Sequence, residues 1–194
     1  MPLGGRGFVT VGAAVACCAL AAACTSDPVP TSTPSTSPTA TTPTESQIER
    51  QMRLDYEAAE EAYRSNRAEQ ARLYQAGGTT KATSTMRATA TDSYLRITLE
   101  ALRRIKKLEW HATGSTEIIG VIANSGWRED EVRLTTCEDS SVVQFFDRAG
   151  KEVTPSTNRR YVQALKVINR SGRWKVSEAI STKVTNFEGQ PCQV

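Results

Sequence analysis

The chain is poor in the residues from which most catalytic and metal sites are built. Its 194 residues include one histidine, His111, and five cysteines, three of which lie before residue 25. It has no GxSxG nucleophile motif, no P-loop and no glycine pattern of a dinucleotide-binding fold. One histidine and two cysteines in the later part of the chain do not make a transition-metal site. We therefore expect neither a metal nor a cofactor.

The chain also lacks a large excess of one charge. It has 24 basic and 21 acidic residues, and its formal net charge is +3 at pH 7. Proteins that bind nucleic acid usually carry a strong positive balance or a clear basic region. The sequence therefore predicts no nucleic-acid partner, and its overall charge balance does not indicate strong binding to an anionic membrane.

The first apolar run is too short and too rich in small residues for a comfortable membrane span. Arg6 precedes the uncharged residues 7–23, and the run ends in LeuAlaAlaAlaCys at Cys24. This order of a positive start, an apolar core and small residues is typical of a secretory signal. The last five residues resemble a bacterial lipobox. That resemblance implies a signal peptide over 1–23, a lipid such as palmitate on Cys24, and a place on the extracytoplasmic side of the cell membrane.

Three alternatives to this interpretation remain open. The segment could be an ordinary signal peptide cut near Ala23, or an anchor that is not cleaved. The lipidated cysteine could also be Cys17 or Cys18, although each leaves a shorter apolar core before it.

A polar segment, 24–45, follows the apolar run. Of the 21 residues from Thr25 to Glu45, eight are threonine, four are serine and five are proline. Such a composition offers nothing to bury, and we expect an extended, disordered linker that holds a folded domain away from the bilayer. Glycosylation of the linker is compatible with this composition. The remaining residues, 46–194, are enough for one domain.

The folded part contains only two cysteines, Cys137 and Cys192. In an exported protein an isolated pair is most simply a disulfide, here between residues 55 positions apart in the sequence. The alternative, a pair of redox-active thiols, has less support because the two do not form a CxxC motif. We expect the bridge to fasten the carboxyl terminus to a central strand.

Helical signals fill the first half of this domain. Thr44 and Gln47 fit a capping box for a helix that ends near Gln75, before a Gly-Gly pair. Its apolar stripe consists of Ile48, Met52, Tyr56, Ala59 and Tyr63. A short helix or an irregular connection follows around 81–89. A further helix is capped by Asp92 or Ser93.

The further helix is strongly two-sided in sequence. The residues expected to face inward are Leu95, Leu99, Leu102, Ile105 and Leu108. Its outer face carries Arg96, Arg103, Arg104, Lys106 and Lys107. Such a face is usually solvated, and an anionic partner is the alternative.

Strand signals fill the second half. Segments rich in β-branched and aromatic residues alternate with short turn sequences that contain Asn, Asp or Gly, and they predict antiparallel hairpins over 116–123, 131–137, 142–146, 160–169 and 173–184. Helices followed by a run of strands predict an α+β fold, with the N-terminal helices packed on one face of a curved antiparallel sheet.

The order of these elements, together with Gly172, Trp174 and Val176 near the end, resembles the nuclear-transport-factor-2-like superfamily, a cone-shaped and cystatin-like fold. The segments 136–140 and 146–153 are also similar to a group of uncharacterised actinobacterial lipoproteins. The resemblance implies that Trp174 and Val176 point into the cone. It also implies that a homodimer could form through the sheet face.

Enzymes of this superfamily, the ketosteroid-isomerase-like and polyketide-cyclase-like ones, need a base inside the cone. The candidates are Asp139, which follows Cys137 with Glu138, and His111 at the end of the further helix. We expect neither to be catalytic, because each also fits a polar turn or a helix end. Trp127 follows a turn and could contact a ligand or a partner, or could close one end of the core.

The sequence therefore favours a membrane-anchored lipoprotein that is not an enzyme and that binds an envelope protein or a small apolar ligand. An exported isomerase or cyclase, and an accessory subunit of an envelope or secretion complex, are the alternatives.

Overall fold

The computed structural model describes residues 45–153 and 160–182. The predicted signal peptide, lipidated Cys24, most of the linker and Cys192 lie outside these residues. Within the described ranges, no helix is long and apolar enough to cross a membrane.

Three helices open the described part: α1 (Gln47–Gln75), α2 (Ser84–Thr89) and α3 (Asp92–Leu108). The end predicted for α1 is confirmed. Its predicted cap is wrong, because Ser46 is the N-cap residue: its hydroxyl accepts from the Glu49 amide, and the Glu49 carboxylate accepts from the Ser46 amide. The sequence Ser-x-x-Glu is itself a capping box, and its two side chains accept hydrogen bonds from the backbone amides of Ser46 and Glu49 at the start of the helix.

The connection after α1 depends on Gly78. Its φ of +79° lies in the left-handed region, and a Cβ atom placed there would stand 2.3 Å from the carbonyl oxygen of Leu102 in α3. Glycine is the residue that tolerates both this φ and this close approach. The pair of glycines therefore ends α1 and lets the chain turn closely past α3.

The buried face of α3 is shifted from the one that the leucine pattern predicted, and Leu95 and Leu99 are only partly buried. Leu102 and Ile105 are buried as expected, but Tyr94 and Thr98 are buried as well, and Leu108 is 39% exposed. Leu108 is the last residue of the helix, where the chain turns away through a left-handed Glu109. An apolar residue at a helix end is therefore left beside the solvent.

Six strands follow, β1 (His111–Thr113), β2 (Glu117–Ala123), β3 (Glu131–Asp139), β4 (Gln144–Phe146), β5 (Arg160–Arg170) and β6 (Arg173–Thr182). β1 and β4 form a small antiparallel sheet. The other four form an antiparallel sheet in the order β2-β3-β5-β6. The α+β class and the antiparallel strands are confirmed, whereas β1 was not predicted because three residues are too few for a period.

The helices cover one face of the four-stranded sheet. The core there joins Ala59 and Tyr63 of α1 and Tyr94 of α3 to alternate residues of the strands, namely Val132, Leu134, Leu165, Val167, Trp174 and Val176. The prediction that Trp174 and Val176 point inward is confirmed. Burial of these side chains is the main driving force for docking the helices on the sheet.

Cys137 lies on β3, between β2 and β5, and is therefore on a central strand as expected. It is fully buried and clusters with Val162 and Ile119, apart from the core that the helices cover. Its predicted bond to Cys192 stays a prediction, because Cys192 is outside the described residues.

Candidate functional site

Asp139, one of the two predicted candidate bases, ends β3 and forms an ion pair with β5. Its carboxylate accepts from Arg160 Nε and from the Ser141 amide, each at 2.7 Å. The hydrogen bond from Arg160, followed by those from Ser141, lowers the pKa of Asp139 to about 2. A carboxylate with so low a pKa is a weak proton acceptor at neutral pH. The contacts of Asp139 fasten neighbouring strands together.

His111, the other candidate, is exposed on the small sheet. It begins β1, and its ring stacks on Phe146 of β4 with centroids 5.8 Å apart. The carbonyl groups that end α3 accept instead from the amides of Glu109 and Trp110. His111 therefore makes no helix-end contact, and it lies on a different sheet from Asp139.

Trp127 lies half-buried against the helix-covered core. Its indole Nε1 donates to Asp55 Oδ2 of α1 at 2.9 Å. Asp55 is itself buried and also accepts from Gln51. The only polar atom of Trp127 is therefore bonded within the domain, and its predicted contact with a ligand or partner stays a prediction.

The most unusual polar site in the described structure surrounds Glu138, which the sequence analysis left unassigned. Glu138 is completely buried on the helix-facing side of β3. Tyr63 of α1 donates to its Oε1. Arg67 Nη2 and the Tyr161 hydroxyl donate to its Oε2, at 2.5 and 2.7 Å. Three donors from two elements thus converge on one buried carboxylate, and we call these four residues the Glu138 cluster.

Two opposing influences act on Glu138. Burial raises its pKa to about 7, and the hydrogen bond from Tyr161 acts in the opposite direction. The Arg67 guanidinium also favours the carboxylate, because an opposite charge in contact stabilises the ionised form. We take the pKa to stay above its ordinary value, because a fully buried carboxylate loses its hydration. Burial also raises the pKa of Tyr161.

The cluster continues as a chain of polar contacts beneath α1. Arg67 Nη1 donates to Gln70 Oε1 at 2.9 Å, and Gln70 Nε2 donates to Asn66 Oδ1 and to the Tyr94 hydroxyl. Asn66 in turn donates to Thr89 of α2 at 2.8 Å. This chain connects all three helices with the sheet.

The sequence contained a signal for this cluster. Val132, Leu134, Thr136 and Glu138 alternate along β3, and the buried face of the strand therefore extends to Glu138. Tyr63 and Arg67 are four residues apart and share one side of α1. Their meeting could not be predicted, because it depends on how α1 crosses the sheet.

A separate open pocket of about 450 Å³ lies where the start of α3 meets β3, β5 and β6. Its charged lining residues are Asp92, Asp130, Glu131, Lys166, Arg170 and Glu178. Lys166 pairs with Glu131 at 2.9 Å, and Arg170 lies 3.8 Å from Asp92. So polar a lining does not suit a small apolar ligand.

Among the described residues, no three His, Cys, Asp or Glu side chains come together as a possible metal site. No protein-family model matches the chain. No curated protein matches it either. The structure is similar to the intermembrane space region of the chloroplast protein ARC6, with a TM-score of 0.47 and 14% sequence identity over 64% of this chain and 94% of that one. So distant a likeness assigns no function.

Proposed function

We propose that the protein is a membrane-anchored extracytoplasmic lipoprotein whose nuclear-transport-factor-2-like domain binds another protein and catalyses no reaction. The lipobox-like end of the first apolar run and the linker after it support the anchoring. The order of helices and strands supports the superfamily. A protein partner includes the case in which the domain is an accessory subunit of an envelope or secretion complex.

One observation carries the non-catalytic part of the proposal. The side of the sheet where enzymes of this superfamily bind their substrate is packed here with core residues such as Leu134, Val167 and Trp174. Most of the polar groups on that side bond to one another, as in the Glu138 cluster. A small apolar ligand would have to displace these side chains, and a partner on the outside would not.

A second candidate, an isomerase or cyclase, is favoured by the pKa of Glu138. A carboxyl group with a pKa near 7 beside tyrosine hydroxyls is the type of group that transfers protons in such enzymes. Glu138 is however fully buried, and the hydroxyls of Tyr63 and Tyr161 are engaged with it. Substrate could reach Glu138 only after the side chains that cover it moved.

The anchoring is tested by labelling cells that express the chain with a palmitate analogue. The wild-type protein should carry the label, and mass spectrometry of the mature amino terminus should find the lipid on Cys24. Cys24→Ala should abolish labelling, whereas Cys17→Ala should leave it unchanged. An unlabelled wild-type protein, or a label that persists in Cys24→Ala, would contradict the anchor.

The binding role is tested by cross-linking intact envelopes and purifying the chain. A protein partner should be recovered at a constant ratio, and native mass spectrometry of the uncross-linked domain should show no bound small molecule. Recovery of a bound small apolar molecule in place of a protein would contradict the proposal. An isomerase or cyclase activity of the purified domain would also contradict it, if that activity were lost in Glu138→Gln and kept in Asp139→Asn. Such a result would identify an enzyme.

A further inference from the structure

The outward face of α3 is strongly basic and fully open to solvent. Its exposed cations are those predicted from the sequence, Arg96, Arg103, Arg104, Lys106 and Lys107. Arg96, Arg103 and Lys107 are spaced by seven and four residues, and they therefore follow one line along the helix. The exposed acid among them is Glu100.

These five cations have no ion-pair partner among the described residues, in contrast to the arginines of α1. Within the described ranges, none of the five lies within 4.0 Å of a carboxylate oxygen. By contrast, all five arginines of α1 pair with a glutamate. The five cations of α3 therefore exceed the acids of the helix, Asp92 and Glu100, and no ion pair in the described fold engages them.

Apolar side chains flank the basic line. Ile97 is 55% exposed and Leu108 is 39% exposed, and both lie on the same side of α3 as Arg104. On the basic line itself, Arg103 Nε donates to the Thr80 carbonyl at 3.0 Å, and Lys81, which follows Thr80, is also exposed. The face thus combines several cations with apolar groups that a charged soluble polymer would not cover.

We propose that the outward face of α3 binds the anionic headgroup surface of a phospholipid bilayer. The inference rests on the proposed anchoring, which would keep the domain within reach of its own membrane. A linker of 21 residues reaches at most about 65 Å, and this short tether raises the local concentration of the domain at the bilayer. The domain would then lie with α3 along the membrane surface.

The chemistry of the face fits a lipid surface. Each Lys or Arg near an anionic bilayer strengthens binding by about fivefold. The helix is about 26 Å long, and its aligned cations meet a flat surface together. Side chains such as Ile97 and Leu108 would enter the boundary between headgroups and acyl chains.

The experiment uses the chain from residue 24 onward with Cys24→Ser, which excludes any contribution from an acyl group. Its binding is measured by sedimentation with vesicles of phosphatidylcholine alone and of phosphatidylcholine with phosphatidylglycerol. We expect binding only to the anionic vesicles, with a loss of at least tenfold when NaCl rises from about 0.1 to about 0.5 M. The variant Arg103→Glu/Lys107→Glu should lose at least tenfold in affinity.

The matched control is Arg128→Glu/Arg133→Glu, which makes the same change in net charge away from α3. It should bind the anionic vesicles nearly as well as the parent chain. Equal losses in the two variants, or binding to vesicles of phosphatidylcholine alone, would overturn the proposal. So would inhibition of vesicle binding by polyphosphate that is equally strong for the parent chain and for the α3 variant. The chain used for vesicle binding carries no lipid, so the two experiments are independent. A failure to bind vesicles would not affect the palmitate labelling of Cys24, and an unlabelled Cys24 would not affect the vesicle measurement.

Discussion

Glu138 is the residue on which the interior of the domain most depends. Its carboxylate is buried and bonded to Tyr63, Arg67 and Tyr161, and it therefore joins α1 to the central strands. A buried ion pair is costly to break, because the remaining group must either keep a poorly solvated charge or take up a proton. The cluster consequently affects stability more than any exposed pair of α1.

This difference can be measured with two arginines on the same helix. Arg67→Met should lower the free energy of unfolding by about 2 kcal/mol, because it removes the buried hydrogen bonds of Arg67 to Glu138 and Gln70 and leaves Glu138 to take up a proton. Arg64→Met breaks an exposed pair with Glu60 and should cost less than about 0.5 kcal/mol. Urea denaturation near pH 7.5 compares the two, and similar losses would show that the Glu138 cluster is not a structural tie.

The raised pKa of Glu138 predicts a pH dependence of stability. Between the ordinary value of 4.5 and about 7, the folded chain keeps a proton on Glu138 that the unfolded chain has released. The folded state then binds more protons, and its stability must fall as pH rises. The full effect is about 3 kcal/mol between pH 4.5 and 8.

Glu138→Gln removes this titration and should flatten the curve of unfolding free energy against pH. Asp139→Asn is the control, because the lowered pKa of Asp139 makes its titration affect the stability only at acidic pH. A wild-type curve that rises from pH 5 to 8, or one that Glu138→Gln leaves unchanged, would mean that Glu138 is ionised throughout.

At the scale of elements, the packing of the α1–α2 connection against α3 depends on Gly78. Backbone atoms of Leu102 and Lys106 stand 2.3 and 2.7 Å from the position that a Cβ atom would take. Gly172, in the β5–β6 turn, has nearly the same φ and nothing within 4 Å of that position. The two glycines therefore separate the cost of the left-handed backbone from the cost of the close approach.

Gly172→Ala should cost about 1 kcal/mol, which is the penalty of the left-handed region alone. Gly78→Ala should cost clearly more, because backbone atoms of α3 must also move. Thermal and urea unfolding of the two variants test this. Equal losses would show that the connection shifts without strain.

Elements were predicted well wherever a pattern repeated over several residues. The end of α1 and the long strands follow from spacing and turn residues that neighbours in sequence supply, whereas the inward Trp174 and Val176 were expected from the resemblance. The N-cap at Ser46 and the strand β1 were missed because each depends on a few residues. The leucine stripe of α3 placed the buried face wrongly in part, because packing on the sheet buries Tyr94 and Thr98 more fully than Leu95 and Leu99.

At the scale of the whole molecule, the predicted Cys137–Cys192 bond would fasten the chain after β6 to the middle of the sheet. A loop of this length corresponds to roughly 4 kcal/mol in the chain-entropy estimate. Cys137 is fully buried on a central strand, a position that suits a structural bridge.

The native protein should therefore react with maleimide at neither Cys137 nor Cys192 until it is unfolded and reduced. Cys192→Ala and Cys137→Ala should each lower the melting temperature, and reductant should lower that of the wild type but of neither variant. A cysteine can fail to react because it forms a disulfide or because its free thiol is buried. Unfolding the protein without reductant distinguishes the two, because a free thiol would then be labelled and a disulfide would not. Labelling of both cysteines under those conditions would contradict the bond.

The sequence by itself determined the order of helices and strands and the α+β class, because these depend on residues that are near one another along the chain. It also predicted a signal peptide, a lipidated cysteine and a linker, and nearly all of these residues lie outside the described structure. Only the tertiary structure decided which polar groups meet in the interior. Glu138 lies 75 residues from Tyr63 and 71 from Arg67, and the packing of α1 on the sheet brings them together. No local pattern records a contact that depends on the crossing of two distant elements.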